Sequence, residues 1–178
     1  MKPIGTKTIT TARLVLRAPQ LSDAIELVQA RSLAMSCEEA QKALQNMVDE
    51  LKHPFVFHWV ITLDGHAIGR VKGWEVNPYD GYLQLGYDVG PDYRGCGYMT
   101  EAVRAVIDYM LHQAEANRVF CSVRESNLAS RRVCEKCGMQ LEGVMRQHYA
   151  RQDGGYDDVR IYGIVKSDLL GKGDSYGA

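Results

Sequence analysis

The sequence predicts a mixed α/β fold with about seven mostly antiparallel strands flanked by about four helices, and three observations carry that expectation. Residues 83–89 alternate Leu83, Leu85, Tyr87 and Val89 with Gln84, Gly86 and Asp88, the pattern of a strand with unlike faces. Gly90-Pro91 ends that run. Beyond Arg94-Gly95-Cys96-Gly97, the residues Met99, Ala102, Val103, Val106, Ile107, Met110 and Ala114 recur at helical spacing, with Glu101, Arg104, Asp108 and Glu115 on the opposite face. Upstream, residues 55–63 and 68–76 are β-rich runs split by Asp64-Gly65, a hairpin signal.

The other elements follow in chain order. Residues 1–11 are polar and expected to be loose. Arg13-Leu14-Val15-Leu16-Arg17 alternates as a first strand, ended by Pro19. Ser22 is placed to cap a short helix carrying Ile25, Leu27 and Val28. Ser36 with Glu39 forms a capping box for a second helix, whose Ala40, Ala43, Leu44, Met47, Val48 and Leu51 make one apolar stripe. A turn at residues 77–81 leads into the strand at 83–89, so three antiparallel strands precede the glycine turn. Residues 119–123 are apolar enough for a buried strand beside it. Asn127 or Ser126 caps a further short helix that stops at Gly138, the usual C-terminal glycine position. Residues 139–149 and 159–165 form a last strand pair around Asp153-Gly154-Gly155. Nothing marks a linker or a repeat, so residues 1–170 are expected to form one domain, with 171–178 a flexible tail.

Composition narrows the classes. With 178 residues, 46% of them hydrophobic, the chain can bury a core without covalent staples. A net charge of −1 provides no electrostatic reason to bind nucleic acid or an anionic membrane. No apolar run approaches the ~20 residues of a membrane helix, and the first residues lack the apolar stretch of a signal peptide. Five cysteines, an odd number, suit a reducing compartment. A cytoplasmic setting is the expectation.

A strand, a glycine turn and a helix together make an anion site. The first N–H groups of a helix lack internal partners, the dipole puts partial positive charge there, and glycine lets a phosphate approach the backbone. A Walker loop fails, because Gly97 is followed by Tyr98 and Met99 rather than Lys and Ser or Thr. A dinucleotide fingerprint fails too: Thr100 stands where a third small residue belongs, and residues 117–120 offer no acidic partner. The pyrophosphate of coenzyme A is the third candidate. The segments YRGCGYMTEAVRAVIDY and SVRESNLASRRVCEKCGMQLEG resemble the GNAT superfamily of acetyltransferases, within the branch of the ribosomal-protein N-terminal acetyltransferases, and the resemblance runs from Thr11 to Leu170.

The resemblance implies a parallel central strand pair splayed to admit the pantetheine arm of acetyl-CoA, the co-substrate, with no metal. By position, backbone groups of Tyr87, Asp88 and Val89 would pair with pantetheine, and N–H groups of Arg94, Gly95, Cys96, Gly97, Tyr98 and Met99 would hold the pyrophosphate. Thr100 could add a hydroxyl to a phosphate, and Asn127 and Ser130 match the family's Asn-x-x-Ser along the cofactor arm. Arg131 and Lys136 are candidates for the outer phosphates, or are ordinary solvated charges. Val89 N–H would serve as oxyanion donor. Cys134 stands where many relatives place a tyrosine acid; it is a candidate proton donor or simply packing, with Ser130 the competing donor. Gln84 occupies a position this branch often gives to glutamate and cannot accept a proton, which leaves Glu75, Asp88 or His148 acting through water, or an amine that arrives neutral.

The implied partner is a primary amine, foremost a protein or peptide N-terminus, then a small-molecule amine; a non-catalytic acyl-CoA-binding domain is the remaining alternative. A homodimer is open. Cys134-x-x-Cys137 lies before a C-terminal glycine, where the dipole opposes a thiolate, and no second ligand pair accompanies it for zinc. The family pattern is broken at Asp92, usually glutamine or arginine, and in the short connection near Ser32 to Met35, a segment that normally helps wall the acceptor site.

Overall fold

A computed structural model describes residues 1–30 and 35–170. Its strands are β1 (Ile9–Thr10), β2 (Val15–Arg17), β3 (His58–Leu63), β4 (His66–Asn77), β5 (Tyr82–Val89), β6 (Arg118–Arg124), β7 (Gln140–Ala150) and β8 (Tyr156–Val165). They form one eight-stranded sheet in the order β1-β2-β3-β4-β5-β6-β8-β7. Among the described residues the helices are α1 (Asp23–Gln29), α2 (Cys37–Glu50), α3 (Tyr98–Asp108, continued by a π-helical turn Tyr109–Gln113), α4 (Leu128–Lys136) and α5 (Lys166–Leu170). None is long and apolar enough to cross a membrane. The expected mixed α/β class holds, with one more strand and one more helix than expected. β1 and α5, at two and five residues, are too short to leave a periodic signal.

Two local expectations are corrected. Residues 1–11 are tied down by their backbone, which composition does not reveal. The Met1 ammonium donates to Pro78 O at 3.0 Å, Lys2 N–H to Ala114 O at 2.7 Å, and Tyr109 Oη to Gly5 O at 2.6 Å. Ser22 does not cap α1: its backbone is already helical and its side chain makes no capping bond. Asp23 anchors the turn instead, accepting Gln20 N–H at 2.7 Å and pairing with Arg17 at 2.6 Å. The other caps form as expected. Ser36 Oγ accepts Glu39 N–H at 3.2 Å and Glu39 returns the bond to Ser36 N–H at 2.9 Å, a motif worth about 1 kcal/mol. Asn127, not Ser126, caps α4, its Oδ1 accepting Ser130 N–H at 3.1 Å. The shortened connection falls largely on residues 31–34 and the tail on 171–178, outside the described residues.

Two apolar layers hold the sheet. The α3 stripe (Met99, Ala102, Val103, Val106, Ile107) buries against Val71, Leu83 and Leu85 on one side. On the other, Ala24, Leu27, Ala40, Leu44 and Met47 of α1 and α2 bury against Val60 and Ala67. Each fully buried Leu, Ile or Val contributes about 1.5–3 kcal/mol, enough to fix the sheet while its centre opens.

That opening is the feature that positions the site. β5 and β6 are the only parallel neighbours among the described strands. They pair only at Tyr82 with Arg118, Leu83 with Val119 and Gln84 with Phe120. Beyond that, β4 follows β5 as far as Val89 and β8 follows β6 as far as Arg124, so the two strands part with their facing edges unpaired.

Candidate active site

Gly90 N–H donates to Ile68 O, on the β4 side, at 2.9 Å. Strand alternation therefore turns the backbone groups of Tyr87 and Val89 the other way, into the wedge. At its mouth a 3-10 turn, Pro91–Tyr93, leads to an exposed loop in which Gly95 (φ 78°) and Gly97 (φ 83°) are left-handed. Gly97 sits at the N-cap of α3 and has no side chain to cap it, so the first α3 N–H groups face the loop without a side-chain partner. The Met99 side chain goes into the core, leaving only its N–H for a ligand. Beside the loop a cavity of about 410 Å³ is lined by Gly97, Thr100, Arg13, Arg104 and Lys136. Arg13 straps the first strands to the loop: it donates to Cys96 O at 3.0 Å and pairs with Glu101 at 2.6 Å, where Thr11 Oγ1 also donates at 2.7 Å. Burial would raise the Glu101 pKa, but the Thr11 and Arg13 bonds outweigh it and hold the carboxyl below its ordinary value. Exposed N–H groups, left-handed glycines, flanking cations and an unpaired wedge edge fit a diphosphate carrying an amide-bearing arm.

Deeper in the wedge, Tyr87 Oη lies 2.8 Å from Ser130 Oγ, 3.2 Å from Ser130 O and 3.4 Å from Cys134 Sγ. Burial, reinforced by the neighbouring thiols Cys121 and Cys134, pushes the phenol pKa well above its ordinary value, so Tyr87 stays protonated. Behind it, the neighbouring buried thiols of Cys121 and Cys134 act on each other, which raises the first and lowers the second. Cys137 is pushed up to about 12 by burial.

From this point a cavity of about 800 Å³ crosses the α2 face of the sheet, walled by α2, β4, β5, β6, α4 and the end of β7. Trp74 lies over Gly86, where a Cβ would meet its ring at 2.7 Å, so only glycine admits the indole there. Glu50, at the end of α2, faces the cavity and bonds the buried His58, Oε2 to Nε2 at 2.9 Å, while His58 Nδ1 lies 3.0 Å from Phe57 O. Burial lowers the His58 pKa, with the Glu50 contact opposing it.

The family model for the acetyltransferase (GNAT) domain matches residues 13–140. The chain belongs to the GNAT acetyltransferases. It is 32% identical over 136 residues, 74% of either chain, to the Bacillus subtilis (strain 168) protein named "Probable N-acetyltransferase YjcK". It is 26% identical over 128 residues, 72% of this chain and 71% of the relative, to the ribosomal-protein-serine acetyltransferase of Escherichia coli (strain K12). Among solved structures, the RimL ribosomal L7/L12 alpha-N-protein acetyltransferase, in complex with coenzyme A as a cysteine disulfide, shares the fold with a TM-score of 0.80. Its identity is 23%, over 89% of this chain and 98% of that one. The protein is thus an acetyl-CoA-dependent N-acetyltransferase of the GNAT family.

Within this GNAT site the structure brings together Tyr87, Asp88, Asn127 and Ser130 on the large cavity, and Gly97 and Thr100 on the small one. Cys134 is fully buried and absent from the cavity wall; Tyr87 Oη and Ser130 Oγ stand in front of it. The phosphate candidates divide. Lys136 joins Arg13 and Arg104 beside the loop, whereas Arg131 pairs with Glu125 at 2.8 Å, which Arg160 also holds. Of the three base candidates, Glu75 is exposed at a bulge (φ 47°), His148 packs on Tyr149 away from the cavity wall, and Asp88 is held by Arg70 at 2.7 Å. Sequence reasoning missed Glu50 with His58, and the role of the Tyr87 side chain. The only signal for Glu50 was its place at the end of the α2 stripe.

Proposed function

We propose that the acceptor is the α-amine of a protein or peptide N-terminus. The observation that carries this reading is the openness of the large cavity, whose rim aromatics Trp74 and Tyr149 are 48% and 40% exposed. A chain can leave such a groove; a pocket shaped for a small amine would enclose those rings. The relatedness to a ribosomal-protein-serine acetyltransferase points the same way. The second reading, a small-molecule amine, draws on the volume of about 800 Å³, within the ~300–1,000 Å³ of small-ligand sites.

Acetyl-CoA supplies the acetyl thioester. The N–H groups of residues 95–99 hold its phosphates, the Arg94 N–H being spent on Pro91 O at 3.2 Å instead of on the ligand as expected, with Arg13, Arg104, Lys136 and Thr100 beside them. Val89 N–H, turned into the wedge, is the oxyanion donor. Tyr87, protonated, holds Ser130 Oγ at 2.8 Å; with the phenol as donor of that bond, the Ser130 hydrogen is directed at the cavity as the proton source for the leaving sulfur. Glu50, steadied by His58, is the carboxylate on the acceptor side. The five free thiols fit a reducing, cytoplasmic setting.

The test follows thiol release from acetyl-CoA with peptides and small amines side by side, and mass spectrometry to locate the acetyl group. Acetylation at peptide α-amines is expected. Turnover confined to small amines would remove the N-terminal reading and leave the family activity intact.

A further inference from the structure

On the α2 face of the sheet the strand registers stack three rows: Arg70 beside Asp88, Lys72 beside Gly86, and Trp74 beside Gln84. Gln84 in turn pairs with Phe120, and strand alternation puts Arg124, four residues on, on that same face. Lys72 and Arg124 thus flank the wedge, and both line the large cavity.

Their partners set them apart from the other charges there. Arg70 is neutralised by Asp88 at 2.7 Å, and Glu50 is bonded to His58 at 2.9 Å. Lys72 Nζ instead lies 5.6 Å from the centre of the Trp74 ring, and Arg124 Cζ 4.4 Å from that of Tyr149. Neither forms an ion pair with a carboxylate among the described residues. An aromatic face orients a cation and leaves its charge uncompensated. Three cations, Arg70, Lys72 and Arg124, therefore face two carboxylates, Glu50 and Asp88, in the wall of one cavity, on a chain whose net charge is −1. Such a groove concentrates anions in its low-dielectric recess. The charges are also arranged by type: Glu50 offers an acceptor for an ammonium group, and the two uncompensated cations await an anion.

We propose that Lys72 and Arg124 select acceptors with anionic groups close to the reactive amine, namely N-termini with acidic residues at the second and third positions. The choice of a peptide as carrier of that charge rests on the N-terminal reading above; the charge preference itself does not. A small amino acid with a side-chain carboxylate has the same chemistry and is the other source.

The experiment compares kcat/KM for three peptides that differ only at positions two and three (Glu-Glu, Ala-Ala, Lys-Lys), together with free glutamate and glutamine. The acidic peptide should exceed the neutral one by about tenfold at low salt, with the lysine peptide poorer still. The advantage should shrink as salt screens the cations. Lys72→Glu and Arg124→Glu, shown folded by thermal melting and competent by acetyl-CoA titration, should each reverse the order of acidic and lysine peptides. Equal kcat/KM across the peptides, or an unchanged order in both variants, overturns the proposal while N-terminal acetylation stands. Turnover of glutamate over glutamine with no peptide acetylated keeps the charge preference and removes the N-terminal reading. Turnover of none of these amines overturns both.

Discussion

The two ends of the wedge are built in opposite ways. At the end proposed for the coenzyme, five consecutive residues, 95–99, present backbone N–H groups shaped by two left-handed glycines, and no side chain of the loop itself needs a particular chemistry. At the acceptor end the cavity is a mosaic of side chains from Ala43 on α2 to Tyr149 on β7. A backbone site is set by local conformation and persists while its side chains change. A side-chain site depends on strand register and can be respecified one residue at a time. The first therefore marks the family, and under the proposed reading the second selects the amine.

Changes at the coenzyme end should act through conformation, and the largest effect is expected there. Gly97→Val places a β-branched residue at φ 83°, where a left-handed backbone is strained. Space is not the obstacle, since a Cβ would meet only the flexible Arg13 Nη2 at 3.4 Å. Acetyl-CoA affinity by calorimetry should fall about a hundredfold or more, roughly the 3 kcal/mol that local strain of this kind reaches, while the melting transition stays cooperative. Cys96→Ala, beside it, removes a side chain but no N–H and should change affinity by less than about threefold. If the alanine variant lost binding as the valine variant does, the contrast between backbone and side-chain construction would fail.

A smaller effect is expected where the two ends meet. Tyr87 belongs to both: its backbone faces the wedge and its hydroxyl bonds Ser130. Tyr87→Phe keeps the backbone and the ring and removes only the proton donor. It should lower kcat by up to about a hundredfold, the lower limit of what one general acid–base contact supplies, with acetyl-CoA affinity nearly unchanged. Ser130→Ala should match it, and the double variant should be little worse than either, because the two hydroxyls act in series. An additive loss would show that they act separately.

The legibility of the sequence followed the same division. Strand β5, the loop and the α3 stripe lie within one window whose periodicity and glycines speak for themselves, and the α4 cap was narrowed to Asn127 or Ser126. The N-terminal segment was misread as loose because it is held by backbone carbonyls that composition cannot show: Trp59 Nε1 reaches Lys7 O at 2.8 Å across 52 positions of sequence. Ser22 misled for a local reason, since Asp23, one residue later, found Arg17. The acceptor groove was the least legible part. Glu50 meets His58 only after the chain leaves α2 and enters β3, and Lys72 stands beside Gly86 only through the β4–β5 register. Cys134, on α4, drew attention by its position in the family pattern, but the wall in front of it is made by a tyrosine from strand β5.

The smallest expected effect sharpens the comparison from the stability side. Side-chain construction buries a histidine, so the acceptor end should carry a pH-dependent stability just below pH ~6.5, whereas at the loop Glu101, a carboxyl held below its ordinary value, responds only at more acidic pH. His58 is the group to test. It is 2% exposed, and burial lowers its pKa below the unfolded value of about 6.5, Glu50 offsetting part of that shift. Between the folded and unfolded values the unfolded chain binds the extra proton, so stability rises with pH across that window. It is fully present above pH ~6.5 and is lost as the pH falls through the folded value. The wild-type melting temperature should therefore drop on acidification from that point, by about 3 °C for each kcal/mol lost in a chain of this size. Glu50→Gln removes the contact that favours the charged ring, so it should deepen the depression and steepen the drop. His58→Leu, matched in burial but unable to titrate, should flatten the drop, although its melting temperature at neutral pH can lie either side of wild type. An unaltered acid slope in His58→Leu would place the titrating group elsewhere and free Glu50 from its buried partner.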